Sequence, residues 1–335
     1  MHYLRITTLF LALCLSQLFM GQAFADELVV YSARKEHLIK PLFDAYSQQT
    51  GTKISYVTDK AGPLLQRLKA EGKNTRADLL LTVDAGNLWH AANEGVLQSI
   101  DSATLSANVP ANLRDPENQW FGLSLRARTI VYSTERVKPE ELSSYEALGA
   151  PDWKNRLLLR TSKKVYNQSL VAMLIAEHGA KKTEQIVRSW VDNLAAPPFS
   201  NDTKTMQAIL AGQGDVGIVN TYYFGRLLKK DPELKLALYW PNQNSTGVHV
   251  NISGGGVTRY AKHPVEAQKF LEWLSSEEAQ NLFADANMEY PVNPKVEPHE
   301  YVKNWGSFKA SALNLAEAGE LQADAIKLMD RAGYR

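Results

Sequence analysis

A single cysteine, Cys14, occurs among the 335 residues, and it falls in a leader-like start. That start, MHYLRITTLFLALCLSQLFMGQAFADE, carries a basic residue (Arg5), an apolar stretch and Ala23-Phe24-Ala25 before Asp26. The arrangement predicts a secretory signal peptide cleaved after Ala25. Its apolar part is too short and too interrupted for a membrane span. A lipoprotein signal would need a small residue before Cys14 and more apolar sequence upstream, and leucine stands there instead. The mature chain then has no cysteine, which excludes disulfides, thiolate metal sites and cysteine nucleophiles together. Charge bias is missing too. The formal net charge is +1, and losing Arg5 with the leader leaves 0, so nothing predicts attraction to nucleic acid or to acidic membranes.

Several catalytic and nucleotide signatures are also missing. There is no Gly-x-Ser-x-Gly, no His-Glu-x-x-His and no zinc-like cysteine/histidine spacing. GQGDVG (212–217) matches Gly-x-Gly-x-x-Gly, but that motif must follow a strand and open a helix. Here it follows the helix-like TMQAILA and precedes the strand-like VGIVN, so Gly212 reads as a helix C-cap. SGGGV (253–257) lacks the P-loop lysine. The seven histidines are scattered; only His37, just beyond the first strand, is kept as a possible additional site residue.

What is present alternates strand and helix. LVVYS (28–32), KISYVT (53–58) and ADLLLT (77–82) are short apolar runs suited to buried parallel strands. Between and after them come helical periodicity over 35–49, a helix opened by Pro63, and DAGNLWHAANEG ending at Gly95. This β-α-β-α-β-α order predicts an open parallel sheet with its ligand edge at the strand C-termini. WFGLSLRARTIVYS (120–133) reads as a long strand crossing between lobes. A second α/β stretch follows: RLLLRT, a helix from about 168 to 178, another from about 182 to 194, then TKTMQAILAG and DVGIVN. Beyond SGGGV, Pro264 starts a helix, YPVNP is extended, and 307–329 reads as helical. About 310 mature residues divide naturally into two lobes.

Three features fall where a sheet-edge cleft would lie. Arg34 and Ser32 follow the first strand. TSKKVYNQS (161–169) places Tyr166 after RLLLRT and before an apolar helix. Thr221-Tyr222-Tyr223 follows VGIVN, with Thr221 as a possible N-cap. Arg126 adds a cation near the lobe junction, with Arg128 on the same strand face. Tyrosine phenols, with pKa about 10, become ligands only when a strongly charged ion lowers that value. Fe3+ favours anionic oxygen, and three phenolates would balance its charge. A planar anion such as carbonate, held by arginines, suits the remaining positions. Zinc or copper would call for histidine or cysteine. Paired tyrosines that merely pack a helix start, one in and one out, are the equal alternative at this point.

VYSARKEHLIKPLFDAYSQQTG, LLQRLKAEGKNTRADLLLTVDAGNLWHAANEGVLQ, VYNQSL, NTYYFGRL and the run from NISGGGV to YPV resemble bacterial periplasmic ferric-ion-binding proteins of ABC importers. The resemblance runs through the whole mature chain in order. It implies a type II periplasmic binding-protein fold: two α/β lobes joined by hinge strands around a ligand cleft. The lobes would be 26–126 plus about 250–290, and about 127–249 plus 291–335. It implies Fe3+ ligands Tyr166, Tyr222 and Tyr223, and a synergistic carbonate or bicarbonate held by Arg34 and Arg126, with Ser162 helping. It further implies a monomeric, non-enzymatic periplasmic receptor for ferric ion or a ferric chelate, with permease and ATPase partners and no nucleic acid. The chain departs from the family's N-lobe ligands: Lys35-Glu36 stands where many members have histidine or histidine-tyrosine, and Val83, beside Asp84, where some have glutamate. What remains resembles the three-tyrosine, carbonate-dependent subgroup. A polyamine or small-oxyanion receptor on the same fold is the alternative, and an exported hydrolase or lyase a third reading without a visible nucleophile–base pair.

Overall fold

The computed structural model describes residues 27–335, without the side chains of 284–286. The leader, with Arg5, Cys14 and the Ala25 cleavage site, lies outside the described residues. Strands β1 (Glu27–Ser32), β2 (Lys53–Thr58) and β3 (Leu79–Val83) pair in parallel in the order β2-β1-β3. Helices α1 (Glu36–Thr50), α2 (Ala61–Glu71) and α3 (Ala85–Asn93) follow them in turn. α1 buries Ile39, Leu42, Phe43 and Tyr46 at helical spacing and stops at Gly51, whose φ of 77° is the left-handed conformation glycine tolerates.

The long strand β4 (Phe121–Ser133) ties the two halves together. Its first part pairs antiparallel with β8 (Val250–Val257) as far as Ala127↔Val250. From Arg128↔Asn220 onward it pairs instead with β6 (Val216–Asn220), and from Ile130 also with β7 (Leu236–Tyr239). The two-residue β5 (Leu157–Leu158) adds in parallel to β6. This exchange of partners between Ala127 and Arg128 divides the hydrophobic interior. Val30, Leu79, Phe121, Ile252 and Phe270 belong to one core, whereas Ile130, Leu157, Trp190, Ile218 and Leu328 belong to another.

The helices of the second half are α4 (Val165–His178), α5 (Ala180–Asp192), α6 (Asp202–Leu210) and α7 (Thr221–Lys230), with α8 (Pro264–Leu274) and α9 (Glu277–Asn287) returning to the first core. α4 is apolar nearly all round because it lies between cores: Met173 packs in the first, Leu170 and Leu174 in the second. The C-terminal segment also straddles them, with Leu315 and Ala318 in the first core and Leu328 and Met329, on α10 (Gln322–Arg331), in the second. Gly319 lies so close to Trp89 of α3 that a Cβ would collide with the indole. The SGGGV glycines have the same use. A Cβ on Gly255 would strike the Leu81 side chain of β3.

Four local expectations are corrected. RLLLRT forms only the two-residue β5, with Arg160 bridged singly to Phe199. α4 starts at Val165, so Tyr166 lies in its first turn rather than ahead of it. The last helical region begins at Ala316, because 307–315 instead makes loop contacts such as the Ala310–Val248 bridge. Asn220, not Thr221, is the N-cap position of α7; Thr221 is its first residue, and its hydroxyl is buried without a partner. Gly212, φ 75°, lies just past the end of α6, as its C-cap reading requires.

The crossing region also buries a histidine. His249, 4% exposed, is held neutral, its pKa pushed down to about 3 by burial and then by Arg128 and Arg126. Between pH 6.5 and about 3 an unfolded chain takes a proton here that the folded chain refuses. Stability is therefore expected to fall as pH drops through that window, by roughly 2–4 kcal/mol from this group after allowing for relaxation. His249→Gln should flatten that part of a urea-unfolding profile against pH; an unchanged profile would assign the acid lability elsewhere.

Candidate functional site

Tyr166, Tyr222 and Tyr223, taken from two different helices, line one cavity of about 240 Å3. Each stands in a first turn: Tyr166 is the second residue of α4, and Tyr222 and Tyr223 are the second and third of α7. Two helix N-termini thus meet there, and their unpaired N–H groups and dipoles favour anionic oxygen. The Tyr222 and Tyr223 rings lie 4.4 Å apart between centroids at 36°, so the phenols diverge little. Tyr166 and Tyr222 share a hydrogen bond, and the Asn220 amide donates to the Tyr222 hydroxyl at 3.3 Å. Burial, then Tyr223 for Tyr166 and both other phenols for Tyr222, raises the pair above the usual phenol value, while Arg126 opposes the rise.

Arginines back these phenols. Arg160 lies 4.9 Å from the Tyr166 ring and hydrogen-bonds Tyr223. It is fixed by Asp202, which is fully buried and receives Arg160 on one oxygen (3.2 Å) and Arg128 (3.2 Å) and the Asn220 N–H (3.0 Å) on the other. Arg128 also donates to Asn167 at 2.5 Å, so Arg128 braces α4 against β6 rather than facing the cavity. Arg126 is 2% exposed, 5.9 Å from the Tyr166 ring, and donates weakly to Ser253 at 3.4 Å; its Nη2 is buried without a partner. It is absent from the cavity lining, and its guanidinium lies over the Tyr166 ring. Exposed Arg226, one turn along α7, covers Tyr222 and Tyr223 at 5.0 and 5.9 Å.

The opposite wall comes from Ala33, Arg34, Lys35, Leu38 and Val83, with Glu289. Arg34 is 7% exposed and is already engaged: it donates to Glu289 at 3.0 Å and Ser124 at 3.3 Å. Burial alone would raise the Glu289 carboxyl, but Arg34, Arg126 and the Ser124 hydroxyl outweigh it and hold it below the ordinary value. Asp84 does not reach the cavity. Fully buried at a φ of 77°, it caps α3 and accepts from Ser169 of α4 (2.7 Å) and Asn251 (3.0 Å), linking the two halves at the crossing. Such a conformation is strained for a residue with a Cβ, and those bonds hold it there.

Two candidate residues are not brought to the cavity. His37 is exposed at the second position of α1 and is absent from the lining, although Lys35 and Leu38 on either side of it belong to it. Ser162 is absent from the lining because its backbone is tied elsewhere: its N–H donates to the Arg335 carbonyl and its carbonyl accepts from Gln168. Conversely, Glu289, Arg160 and Arg226 escaped sequence reasoning. A lone acid in NMEYPV and an arginine in RLLLRT carry no local signal. Arg226 had one, its one-turn spacing from the paired tyrosines.

A family profile described as bacterial extracellular solute-binding protein matches residues 74–307. The chain belongs to that family. This solute-binding protein is 42% identical over 316 residues to iron uptake protein A1 of Synechocystis sp. (strain ATCC 27184 / PCC 6803 / Kazusa), covering 92% of this chain and 88% of that protein. It is 29% identical to the Fe(3+)-binding periplasmic protein of Serratia marcescens, covering 90% and 91%. Among solved structures it is similar to Trichodesmium IdiA (FutA) in complex with iron and citrate ligands, with a TM-score of 0.89, 45% identity and coverage of 92% and 100%. It is also similar to the ferric iron-binding protein A of Mannheimia haemolytica in an open conformation, with a TM-score of 0.87, 36% identity and coverage of 92% and 99%. The solute-binding protein therefore has the type II periplasmic binding-protein fold, with β4 as the strand shared between its two α/β halves.

Proposed function

We propose that this solute-binding protein is the periplasmic receptor of an ABC-type iron importer and carries Fe3+ on the phenolates of Tyr166, Tyr222 and Tyr223. The observation that carries the reading is the convergence of these three phenols, from two helix N-termini, on one cavity. Relatives named for iron uptake and ferric binding support it. Its role is capture and delivery without catalysis, to permease and ATPase partners, as a monomer after export with cleavage following Ala25. The lobes are 26–126 plus about 250–290 and about 127–249 plus 291–335, with the C-terminal crossing as a further tie.

Fe3+ is a hard ion that favours anionic oxygen. Three phenolates offset its charge and leave positions for further oxygen donors. Carbonate is the proposed synergistic anion. The unpartnered Nη2 of Arg126 supplies a buried donor toward it, and Arg34 supplies positive charge. Because all three tyrosines lie on the second lobe, iron docks there first, and hinge closure brings Arg34 and Lys35 across it. A polyamine is the poorer fit: Glu289, the single acid among the described lining residues, is already paired with Arg34, and an ammonium, unlike Fe3+, does not displace phenol protons to gain anionic partners.

Visible absorption titration of the mature, iron-stripped protein with Fe3+, with and without bicarbonate, tests the reading. A phenolate-to-iron band that strengthens with bicarbonate is the expected result. A band indifferent to bicarbonate would remove the carbonate, and no band under either condition would remove the iron.

A further inference from the structure

On the wall facing the tyrosines, Lys35 and Val83 present a cation and an alkyl group, so neither supplies an oxygen to a metal. Yet one carboxylate does line the cavity. Among its described lining residues, Glu289 is the single acid, 5% exposed. It stands on neither tyrosine helix. It follows α9 and precedes Tyr290, which exchanges two backbone hydrogen bonds with Leu125 of β4 (2.7 and 2.8 Å). Its backbone is therefore pinned to the crossing strand.

Its side chain is fixed on one side only. Arg34 at 3.0 Å and Ser124 at 2.7 Å both donate to Oε2, and among the described residues no hydrogen bond falls on Oε1. A buried carboxylate normally uses its full acceptor capacity or meets a cation. Arg34 supplies that cation on Oε2, a role a glutamine would fill without the charge, while Oε1 is left with no partner in a residue that lines the cavity. The Arg34 pairing has a second effect. It keeps the carboxylate ionised and aimed, and it takes up part of the guanidinium that would otherwise be free to hold an exogenous anion in a bidentate manner.

We infer that Glu289 is a fourth protein ligand for the ferric ion, supplying Oε1 from the hinge side, with Arg34 and Ser124 as its positioning partners. This rests on the ferric reading above and assigns the oxygen donor that Lys35 and Val83 cannot provide. Three phenolates, one carboxylate oxygen and a bidentate carbonate make six hard donors, a set that suits Fe3+. The neighbours of Glu289, Met288 and Tyr290, pack with Tyr222 in one buried cluster, so the carboxylate is held beside the phenols as well as against β4.

The test is Glu289→Gln in the mature protein, which keeps an acceptor for Arg34 and Ser124 and removes the anionic oxygen. The variant is expected to bind Fe3+ at least about tenfold more weakly, since even an outer-shell loss typically costs 10–100-fold. Its phenolate-to-iron band should also move to longer wavelength, because an iron with one anionic donor fewer is a better electron acceptor. Unchanged affinity, or weaker binding with an unmoved band, overturns the ligand role. Should the glutamine variant not fold, Glu289→Asp, which retains the charge but withdraws the oxygen by one methylene, must show the same weakening and a displaced band. A wild-type protein that develops no band fails the ferric reading itself, a separate outcome.

Discussion

Replacing Tyr222 and Tyr223 together with phenylalanine is expected to abolish the visible ferric band and to weaken Fe3+ binding far beyond the 10–100-fold typical of losing an outer-shell partner. The rings, 4.4 Å apart, would still pack against each other, so the fold should persist while two of the three phenolates disappear. Unchanged thermal unfolding alongside the lost band separates ligand loss from misfolding. A double variant that still coloured with iron would return the tyrosines to a packing role. The same phenols give binding a pH dependence of definite sign. Burial first, then neighbouring phenols, raises Tyr166 and Tyr222 above their ordinary value, so near neutrality both carry protons that the metal must displace. Apparent affinity should therefore fall steadily as pH is lowered, and proton release on loading is measurable in weakly buffered solution. Acidification then becomes a route to unloading.

The second large effect lies behind the site. Asp202→Ala is expected to cost roughly 3–5 kcal/mol, the usual consequence of removing one partner from a buried ion cluster. Asp202 is fully buried and serves Arg128 and Arg160, themselves 1% and 5% exposed. Without it two guanidinium groups remain in the interior against no carboxylate. The loss should also reach the cavity, because Arg160 stacks on Tyr166 and bonds Tyr223. Urea unfolding would report the stability, and a shifted ferric band the displaced phenols. Asp202→Asn keeps one acceptor oxygen, for one of the two arginines, and should fall between. An alanine variant with wild-type unfolding would mean that the arginines re-pair, for instance through the Asn167 and Asn220 amides that Arg128 already uses.

Much of this organisation was legible because it is local. The apolar runs of β1, β2 and β3 and the 3.6-residue spacing of α1 depend on neighbours within a few positions. GQGDVG could be set aside from its flanks alone, and the long run of β4 marked it as a crossing strand. Where boundaries slipped, a long-range partner had decided them. RLLLRT has the composition of a strand, but β6 offers it only two residues of pairing before Arg160 turns inward to Asp202. The start of α4 moved because the chain around Tyr166 is held by contacts to the C-terminus and to Asn167, which binds Arg160 and Thr161 carbonyls.

By itself the sequence determined the α/β alternation, the crossing strand, the lack of cysteine beyond residue 25 and the placement of tyrosines after strands, all consequences of side-chain type and near-neighbour spacing. Only the tertiary structure decided which charges meet. Arg34 and Glu289 are 255 positions apart and Arg128 and Asp202 are 74 apart, yet each pair is in contact in the interior. It also decided that Arg126 is buried over the Tyr166 ring, that the Ser162 backbone is tied to the C-terminus and that His37 is exposed. Burial is the physical reason. A charge in the interior must find a partner wherever the chain brings one, and no rule of local spacing records where that will be.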